Sequence, residues 1–348
     1  MLLRLLKMNE EHLKEQVFSS ILKSLTCDSL DLKDHFFDSL RNDYIEFDDW
    51  FKIRCLREHR PCFVIRGNKG EILGLCIYKR EPPIYEMDGL VIKMCTFKSD
   101  SKGNKHGELL LRRMLQTCYE LNADWLYVTA YQENKVCPFL KDFGFECFER
   151  RKEDTGELIF RKKLKPRIDD EGKLSAFDYH KKYGFRYFNK KEDAFFVPLD
   201  EDRYNFLFPE TSDKNVDVLE FLNAESNAIR KNVRFTDNIK TLKIGSILFF
   251  CKSKPSKIIR CCGIVENVFY SSKREELKNY VGKEPKSLRM QFDNNKEWLC
   301  VKFRQTENFA MDFCLDKLTE RKLIKRYPTR ITKISDEVKK CILKNMPY

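Results

Sequence analysis

A mixed α/β sheet domain, followed by a second α+β domain of short strands and interspersed helices, is the fold class that the sequence predicts. Three observations predict it. The chain has 348 residues, about two ordinary domains, and its 42% of hydrophobic residues can build a core in each. Helical and strand periodicities alternate along the first half, whereas the second half is mainly short strands. The net charge of +12 is also segregated: 23 basic residues face 12 acidic ones from Cys251 to Tyr348, against 43 and 42 before it.

In the first half, Leu13, Val17, Ile21 and Leu22 recur at helical spacing between Met8 and Lys23. A second helical stretch runs from Asp34 through Phe36, Phe37, Leu40, Tyr44 and Phe47 to Trp50 and Phe51. Cys62 to Arg66 and Ile72 to Lys79 read as strands around a Gly67-Asn68-Lys69-Gly70 turn, a hairpin signal. Gly89 to Phe97 is a third strand, and Glu108 to Leu121 is a helix with Leu110, Leu111, Met114, Leu115 and Cys118 inward. Trp125 to Tyr131 is a strand. A short helix, Asn134 to Phe143, stops at Gly144, and strands Phe145 to Arg150 and Glu157 to Lys163 follow. The first domain is thus assigned to residues 1–164.

Residues 165–194 are polar, with Pro166 and Asp169-Asp170, and read as a linker. The second domain, 195–348, opens at Phe195-Phe196-Val197-Pro198-Leu199. Its expected strands are Ser246 to Lys252, Ile258 to Tyr270, Leu288 to Phe292 and Trp298 to Arg304. Helices are expected at Lys273 to Tyr280, Leu315 to Leu323 and Ser335 to Lys344, which suggests a small mixed barrel. Phe139 to Phe145 and Tyr179 to Phe185 echo one another, but two occurrences without a longer period do not make a repeat.

Composition excludes several function classes. Fourteen cysteines are spread singly through apolar runs, without a Cys-x-x-Cys, and imply reduced, buried thiols and a cytoplasmic setting. Five histidines far apart give no zinc spacing, so no metal is expected. No run approaches the roughly 18 apolar residues of a membrane span, and the opening MLLRLLKMNEEH is too short for a signal peptide. The basic excess after Cys251 points to a polyanionic partner.

The segment from Cys95 to Leu111 carries the chemistry. A strand enters a loop bearing Gly103 and Gly107, which opens a long amphipathic helix. Such a loop aims free backbone N–H groups and the positive end of the helix at one point, where a pyrophosphate fits. Lys98, Lys102 and Lys105 add charge. The loop lacks the Gly-Lys-Ser/Thr of a Walker A motif and is not a Rossmann fingerprint.

Strand, Gln/Arg-x-x-Gly-x-Gly/Ala loop and helix form the acetyl-CoA motif of the GNAT superfamily of acetyltransferases, and this sequence resembles it. With Gly107 aligned on the last glycine, Lys102 falls at the Gln/Arg position, and Gly144-Phe145 matches the second landmark of the superfamily. The resemblance covers roughly Phe36 to Leu164. It is nearest to a subgroup in which a Phe-Phe-Asp-Ser-Leu-x-x-Asp-Tyr segment, here Phe36 to Tyr44, precedes the core and a PUA/ASCH-like domain follows. The resemblance implies a GNAT-type mixed sheet and acetyl-CoA as cosubstrate. Cys95 and Phe97 would meet the pantetheine arm through their backbones, and Lys98, Lys102, Gly103, Asn104, Lys105, His106, Gly107 and Glu108 would surround the pyrophosphate. The chain departs from the pattern at Lys105, which replaces the middle glycine, and at Leu140, where many relatives carry the tyrosine that protonates the leaving thiolate. Asn134 is one residue out of register, and Pro138 shortens its helix.

In such a reaction a neutral amine attacks the thioester, so a base must take its proton and a donor must hold the oxyanion. The strand Gly89 to Phe97 has no carboxylate. Glu86 and Asp88 before it, and Tyr131 or Cys137 opposite, are the available candidates.

Leu242 to Phe250 resembles the Lys-x-Gly-Asp turn and apolar strand that begin PUA/ASCH/EVE-type barrels, with Ser246 in place of the aspartate. Asn227 to Lys231 and Arg330 to Ile334 are loosely similar to blocks of the same subgroup. The resemblance implies recognition of RNA or modified bases. Arg230, Lys231, Trp298, Arg326 and Arg330 are the nucleic-acid candidates, with Phe249, Phe269 and Tyr270 as further aromatic platforms. The expected function is N-acetylation of an amine by a chain that also recognises RNA. The rivals are a catalytically inactive nucleic-acid-binding protein with a CoA fold, and a protein or small-molecule acetyltransferase whose barrel is structural.

Overall fold

The structure is a computed structural model and describes residues 22–67, 69–99, 105–148, 156–184, 186–187, 189–208, 211, 228–235, 239–253, 256–278, 297–306, 308–309 and 311–344. The described chain, Ala228 excepted, divides into two compact units that meet between Pro166 and Arg167 in sequence.

In the first unit, β1 (Leu22–Thr26) leads through short 3-10 turns to α1 (Asp38–Asp43) and α2 (Phe47–Trp50), which runs on as a π-helix over Phe51–Leu56. The hairpin β2 (Pro61–Arg66) and β3 (Ile72–Glu81) follows, then β4 (Val91–Ser99), α3 (His106–Glu120), β5 (Trp125–Ala130), α4 (Val136–Asp142), β6 (Glu146–Phe148) and β7 (Leu158–Lys163). The strands lie in the order β1-β2-β3-β4-β5-β7-β6. Every neighbouring pair is antiparallel except β4 and β5. A parallel pair needs a crossover, and α3 supplies it. Its Leu110, Leu111, Met114 and Cys118 are fully buried. A second core joins Phe36, Phe37, Phe47 and Phe51 to Val64, Leu75 and Ile77 of the hairpin. The Phe-Phe segment is therefore core, anchoring the N-terminal helices on the sheet.

The alternation of helix and strand follows the expected order, with one correction at the start. Leu22 and Lys23, read as the end of a helix, open β1, where Leu22 is buried and pairs with Ile65. Sheet pairing here outweighs a helical spacing whose other members, Leu13, Val17 and Ile21, lie outside the described residues.

The second unit contains α5 (Asp170–Lys173), α6 (Ala176–Tyr183), β8 (Ala194–Leu199), α7 (Glu201–Leu207), β9 (Arg230–Phe235), β10 (Ile247–Lys252), β11 (Ile258–Ser271) and α8 (Arg274–Lys278). β12 (Trp298–Gln305), β13 (Phe313–Cys314), α9 (Asp316–Glu320), β14 (Thr332–Lys333) and α10 (Asp336–Leu343) complete it. The sheet order is β14-β8-β10-β11-β12-β9, with β13 beside β11. Only the β8–β10 pair is parallel among these. Both faces are buried: Ala194, Phe196, Ile247 and Phe249 pack with Leu318, Val338 and Ile342, while Phe195, Val197, Leu248 and Phe250 pack with Tyr204, Phe208, Leu299 and Phe303. Burial on both faces explains the unbroken apolar runs of β8 and β10. The expected strand Leu288 to Phe292 lies outside the described residues.

The segment expected to be a linker differs. It carries α5 and α6, and α6 packs against the turn before β10. Gly245 has φ +88°, and a Cβ there would stand 2.9 Å from the Ala176 Cβ, so glycine alone permits the approach. The polarity that suggested a linker belongs to the outer face of a short helix whose Ala176, Tyr179 and Tyr183 are buried.

All fourteen cysteines are free and eleven of them are buried. Among the described residues no group of three or more His, Cys, Asp or Glu could hold a metal ion, and no helix is long and apolar enough to cross a membrane.

Candidate cofactor cleft and basic loop

The β4–β5 ladder is short. It runs from the Val91–Trp125 pair to the Met94–Val128 pair and ends there among the described residues. Yet β4 continues to Ser99 against β3, and β5 continues to Ala130 against β7. The two middle strands of one sheet thus part company halfway along. The cause sits in β4: its register against β3 jumps from Tyr78–Met94 to Ile77–Thr96, leaving Cys95 as the extra residue of a bulge. A bulge bends its strand and sharpens the twist, which turns Cys95 to Ser99 away from β5. The result is a cleft floored at Met94 and Val128 and open toward the start of α3.

Two aromatic rings meet beyond the point where the strands part. Phe97 of β4 stacks on Phe139 of α4, with centroids 5.8 Å apart. A Cβ on Gly107, in the first turn of α3, would lie 3.8 Å from the Phe139 ring and 3.7 Å from Ser99 Oγ. Strand end, helix start and α4 therefore converge on one spot. Lys102, Gly103 and Asn104 lie outside the described residues. Lys105 caps α3 in a left-handed conformation, φ 54°, so it adopts the backbone that favours the glycine it replaces. His106 and Glu108 are buried. Lys98 differs from its expected part in the phosphate loop: Nζ donates to the Phe36 carbonyl and sits 4.1 Å from that ring's centroid.

At the bulge, the buried Arg60 donates to Glu58 Oε2 at 2.8 Å and to Cys95 Sγ at 3.4 Å. Burial pushes the Cys95 thiol up to about 11 against the pull of Arg60, Lys93 and Lys79, so it stays protonated near neutral pH.

The candidate proton acceptors separate into two groups. Glu86 and Asp88 precede β4, so about 26 Å of strand lies between them and the loop that follows it. Glu86 occupies a tight Ile84–Met87 turn with φ 58°, and Asp88 accepts from Trp125 Nε1 at 3.1 Å. Their surroundings give both a structural role. Tyr131 and Cys137 lie at the other end: Tyr131 directly follows β5, and Cys137 Sγ donates to its carbonyl at 3.3 Å. Burial pushes the Cys137 thiol above its ordinary range. Leu140 is fully buried, and its position offers no hydroxyl. The structure adds two residues here. Tyr44 stacks on Tyr131 at 5.5 Å, and its hydroxyl donates to Glu157 Oε1 at 3.1 Å.

In the second unit, the nucleic-acid candidates also divide. Lys231 and Trp298 are each 1% exposed. Lys231 Nζ donates to the Leu207 carbonyl, and Trp298 packs with Leu277, Cys300 and Phe269, so both are core residues and the platform reading of Trp298 is corrected. Phe249 is core as well, and the Tyr270 hydroxyl donates to the Ile239 carbonyl at 2.7 Å. Arg230 is half-buried in β9. Arg326 and Arg330 are exposed. Much of the basic excess is spent inside the unit, where Arg260 pairs with Asp312, and Lys302 and Arg304 with Glu266. Lys322, Lys325, Arg326 and Arg330 are different: all four are exposed, and no ion pair to them is formed among the described residues. They lie on the loop between α9 and β14, which is pinned by Tyr327, whose hydroxyl donates to Asp316, and by Leu323 and Ile324 against the core.

No protein-family model matches the chain, and no curated protein matches it. Among solved structures it is similar to an N-acetyltransferase from Staphylococcus aureus Mu50, with 18% identity over 42% of this chain and 98% of that one and a TM-score of 0.32. For Tetrahymena GCN5 the identity is 16%, the coverage 38% and 84%, and the TM-score 0.30. For the ASCH protein of Zymomonas mobilis the identity is 10%, the coverage 43% and 94%, and the TM-score 0.32.

The conformation of Lys105 gives a direct test of the loop. A left-handed residue with a Cβ costs about 1–2 kcal/mol, and part of that returns as chain entropy when glycine replaces it. Lys105→Gly is therefore expected to raise stability by about 0.5–1 kcal/mol in urea unfolding, and Lys105→Val to lower it. A destabilised glycine variant would rule out the left-handed cap.

Proposed function

We propose that the first unit binds acetyl-CoA in the cleft between β4 and β5 and passes its acetyl group to an amine, and that the second unit meets RNA through the basic loop between α9 and β14. The observation that carries the first part is the early end of the β4–β5 ladder. A pantetheine arm is an extended chain of two amides, and a strand edge released by a bulge offers such a chain the hydrogen bonds it needs. The backbones of Cys95 and Phe97 line that edge. The start of α3, at Lys105 to Glu108, offers the positive end of the helix dipole to the pyrophosphate. The acetyl group would then rest near the bulge, and an amine attacking it would release the thiol.

Acetyl-CoA and RNA share a reducing, cytoplasmic setting, with which fourteen free cysteines agree. The inactive alternative draws on Leu140, which leaves the departing sulfur without the tyrosine of many relatives. Titration calorimetry with acetyl-CoA, followed by thiol release measured over a panel of amines, tests the reading. Saturable binding with amine-dependent thiol release is expected. Binding without release would favour the inactive alternative, and an absence of binding would remove the cleft assignment.

A further inference from the structure

The loop between α9 and β14 holds its charges on a fixed backbone and presents no free ring of its own beside them. From Lys317 to Arg330 the chain carries six basic residues and one acid, Glu320. The turn out of α9 is hydrogen-bonded at each step. Lys322, left-handed at φ 57°, donates its N–H to the Thr319 carbonyl at 2.9 Å, and Leu323 donates to the Leu318 carbonyl at 2.9 Å. Leu323, Ile324 and Tyr327 then pack against the core. Tyr327 is the one aromatic residue between Glu320 and Thr332, and its ring and hydroxyl are both engaged. The hydroxyl donates to Asp316, and the Lys257 ammonium, itself 3.7 Å from Asp316 Oδ1, lies 4.1 Å from the ring centroid. The nearby Phe309 and Phe313 are buried. Reading the bases of a single strand takes a ring or a planar group on which an unstacked base settles, whereas a phosphate asks only for charge and donors. Arg326 and Arg330 supply the planes that remain, and a guanidinium fork matches a phosphate. The exposed Thr329 hydroxyl donates to a phosphate oxygen as readily as to a ribose.

We infer that this loop grips the phosphodiester backbone of a single strand and reads neither base nor sugar, so that single-stranded DNA is as good a ligand for it as RNA. This rests on the reading of the loop as the nucleic-acid surface, and it widens the ligand from RNA to either sugar. Lys322, Lys325, Arg326 and Arg330, exposed and without ion pairs among the described residues, are the contacts. Affinity then comes from the release of counterions. Every strand should fall on one line of log affinity against log salt, with a slope near −3 for about four phosphates, and binding should vanish for all of them near about 1 M salt. A strand whose bases were also read would keep a residue of affinity there, because stacking is less screened than phosphate contact.

The test uses the full chain and four oligonucleotides of equal length: oligo-U, oligo-C, alternating G-U and oligo-dU. Their Kd values are measured by fluorescence anisotropy across a salt series. A stacked base contributes at least about fivefold in affinity, which sets the scale. The four Kd values are expected to agree within about fivefold at each salt concentration, with the same slope. Arg326→Lys combined with Arg330→Lys keeps both charges and removes both planes. This chain should also bind all four strands within about fivefold of the parent. A larger preference for one base, or for oligo-U over oligo-dU, would overturn the inference and leave the loop standing as an RNA surface. A larger loss in the lysine chain, confined to strands of one base, would overturn it in the same way, and a larger loss on all four would show that planes and not charges make the contact. The absence of saturable binding to any strand at low salt would overturn both readings together.

Discussion

Gly107→Glu is expected to weaken acetyl-CoA binding at least 100-fold while leaving the first unit no less stable. The two effects separate because the helix and the ligand want opposite things from residue 107. A Cβ there meets nothing closer than 3.7 Å, so it is accommodated without moving Ser99 or Phe139. Replacing a helical glycine removes about 0.5–1 kcal/mol of backbone entropy cost, and a carboxylate in the first turn gains a few tenths more from the helix dipole. A pyrophosphate at the same helix start would find a negative charge where it otherwise meets the positive end of the helix dipole. Two unit charges about 4 Å apart near a protein surface repel by about 4 kcal/mol, and screening still leaves more than the 2.7 kcal/mol that corresponds to 100-fold. Gly107→Ala is the control. It shares the helix gain without the charge, and its affinity should remain within about tenfold of the parent. Calorimetric Kd values for the three chains, with urea unfolding of each, check this. Unchanged affinity in the glutamate variant would place the pyrophosphate elsewhere.

The sequence made the order of elements in the first unit legible because each core face has a strong period. Leu110, Leu111, Met114 and Cys118 mark α3, and the two apolar runs of β2 and β3 mark the hairpin around its glycine turn. The cleft was legible only through the glycine-bearing loop. The bulge at Cys95 has no signature in composition or periodicity, because it arises from how β4 meets β3. Glu157 carried no signal for a related reason. It follows a polar turn in a chain with 54 acidic residues, and only the pairing of Leu158 with Ala130 brings it to Tyr131 and Tyr44. Glu86 and Asp88 attracted attention because they lie close in sequence to the cofactor strand, but strand direction carries them to its far end. In the second unit, Lys231 and Trp298 sat in alternating strands where either face could have been the outer one. The sheet has no solvent face at those positions, since both are packed. The short helices α5 and α6 were concealed by their polar outer surfaces.

Charge reversal at Arg326 and Arg330 is expected to weaken binding of single-stranded RNA by the full chain at least tenfold at low salt, and to flatten its salt dependence. Segregation of charge alone would be a poor reason, because Arg260, Lys302 and Arg304 are consumed by internal ion pairs. What remains is local. Lys322, Lys325, Arg326 and Arg330 are exposed on a loop fixed by Tyr327 and by two apolar side chains, and a fixed loop loses little conformational entropy when a ligand settles on it. Four cations on such a loop can neutralise about four phosphates, which for a single strand gives a log–log salt slope near −3. Reversing two of them removes two contacts and adds two repulsive charges, so the slope should fall toward about −1. The full chain is the right object for the measurement. A chain begun at Phe195 would lack α6, which packs against the turn at Gly245 and belongs to the second unit. Base recognition, if present, should survive at higher salt as a preference among sequences, since stacking and edge contacts are less screened than phosphate contacts. With Trp298 and Phe249 in the core, such a preference would have to come from half-buried rings such as Phe269 or from polar side chains. Filter binding across a salt series, on the parent and the doubly reversed chain, settles the matter. Binding that is weak and unsaturable in the parent, or an affinity indifferent to salt and to the reversal, would remove RNA from the proposed function and leave the second unit a structural part.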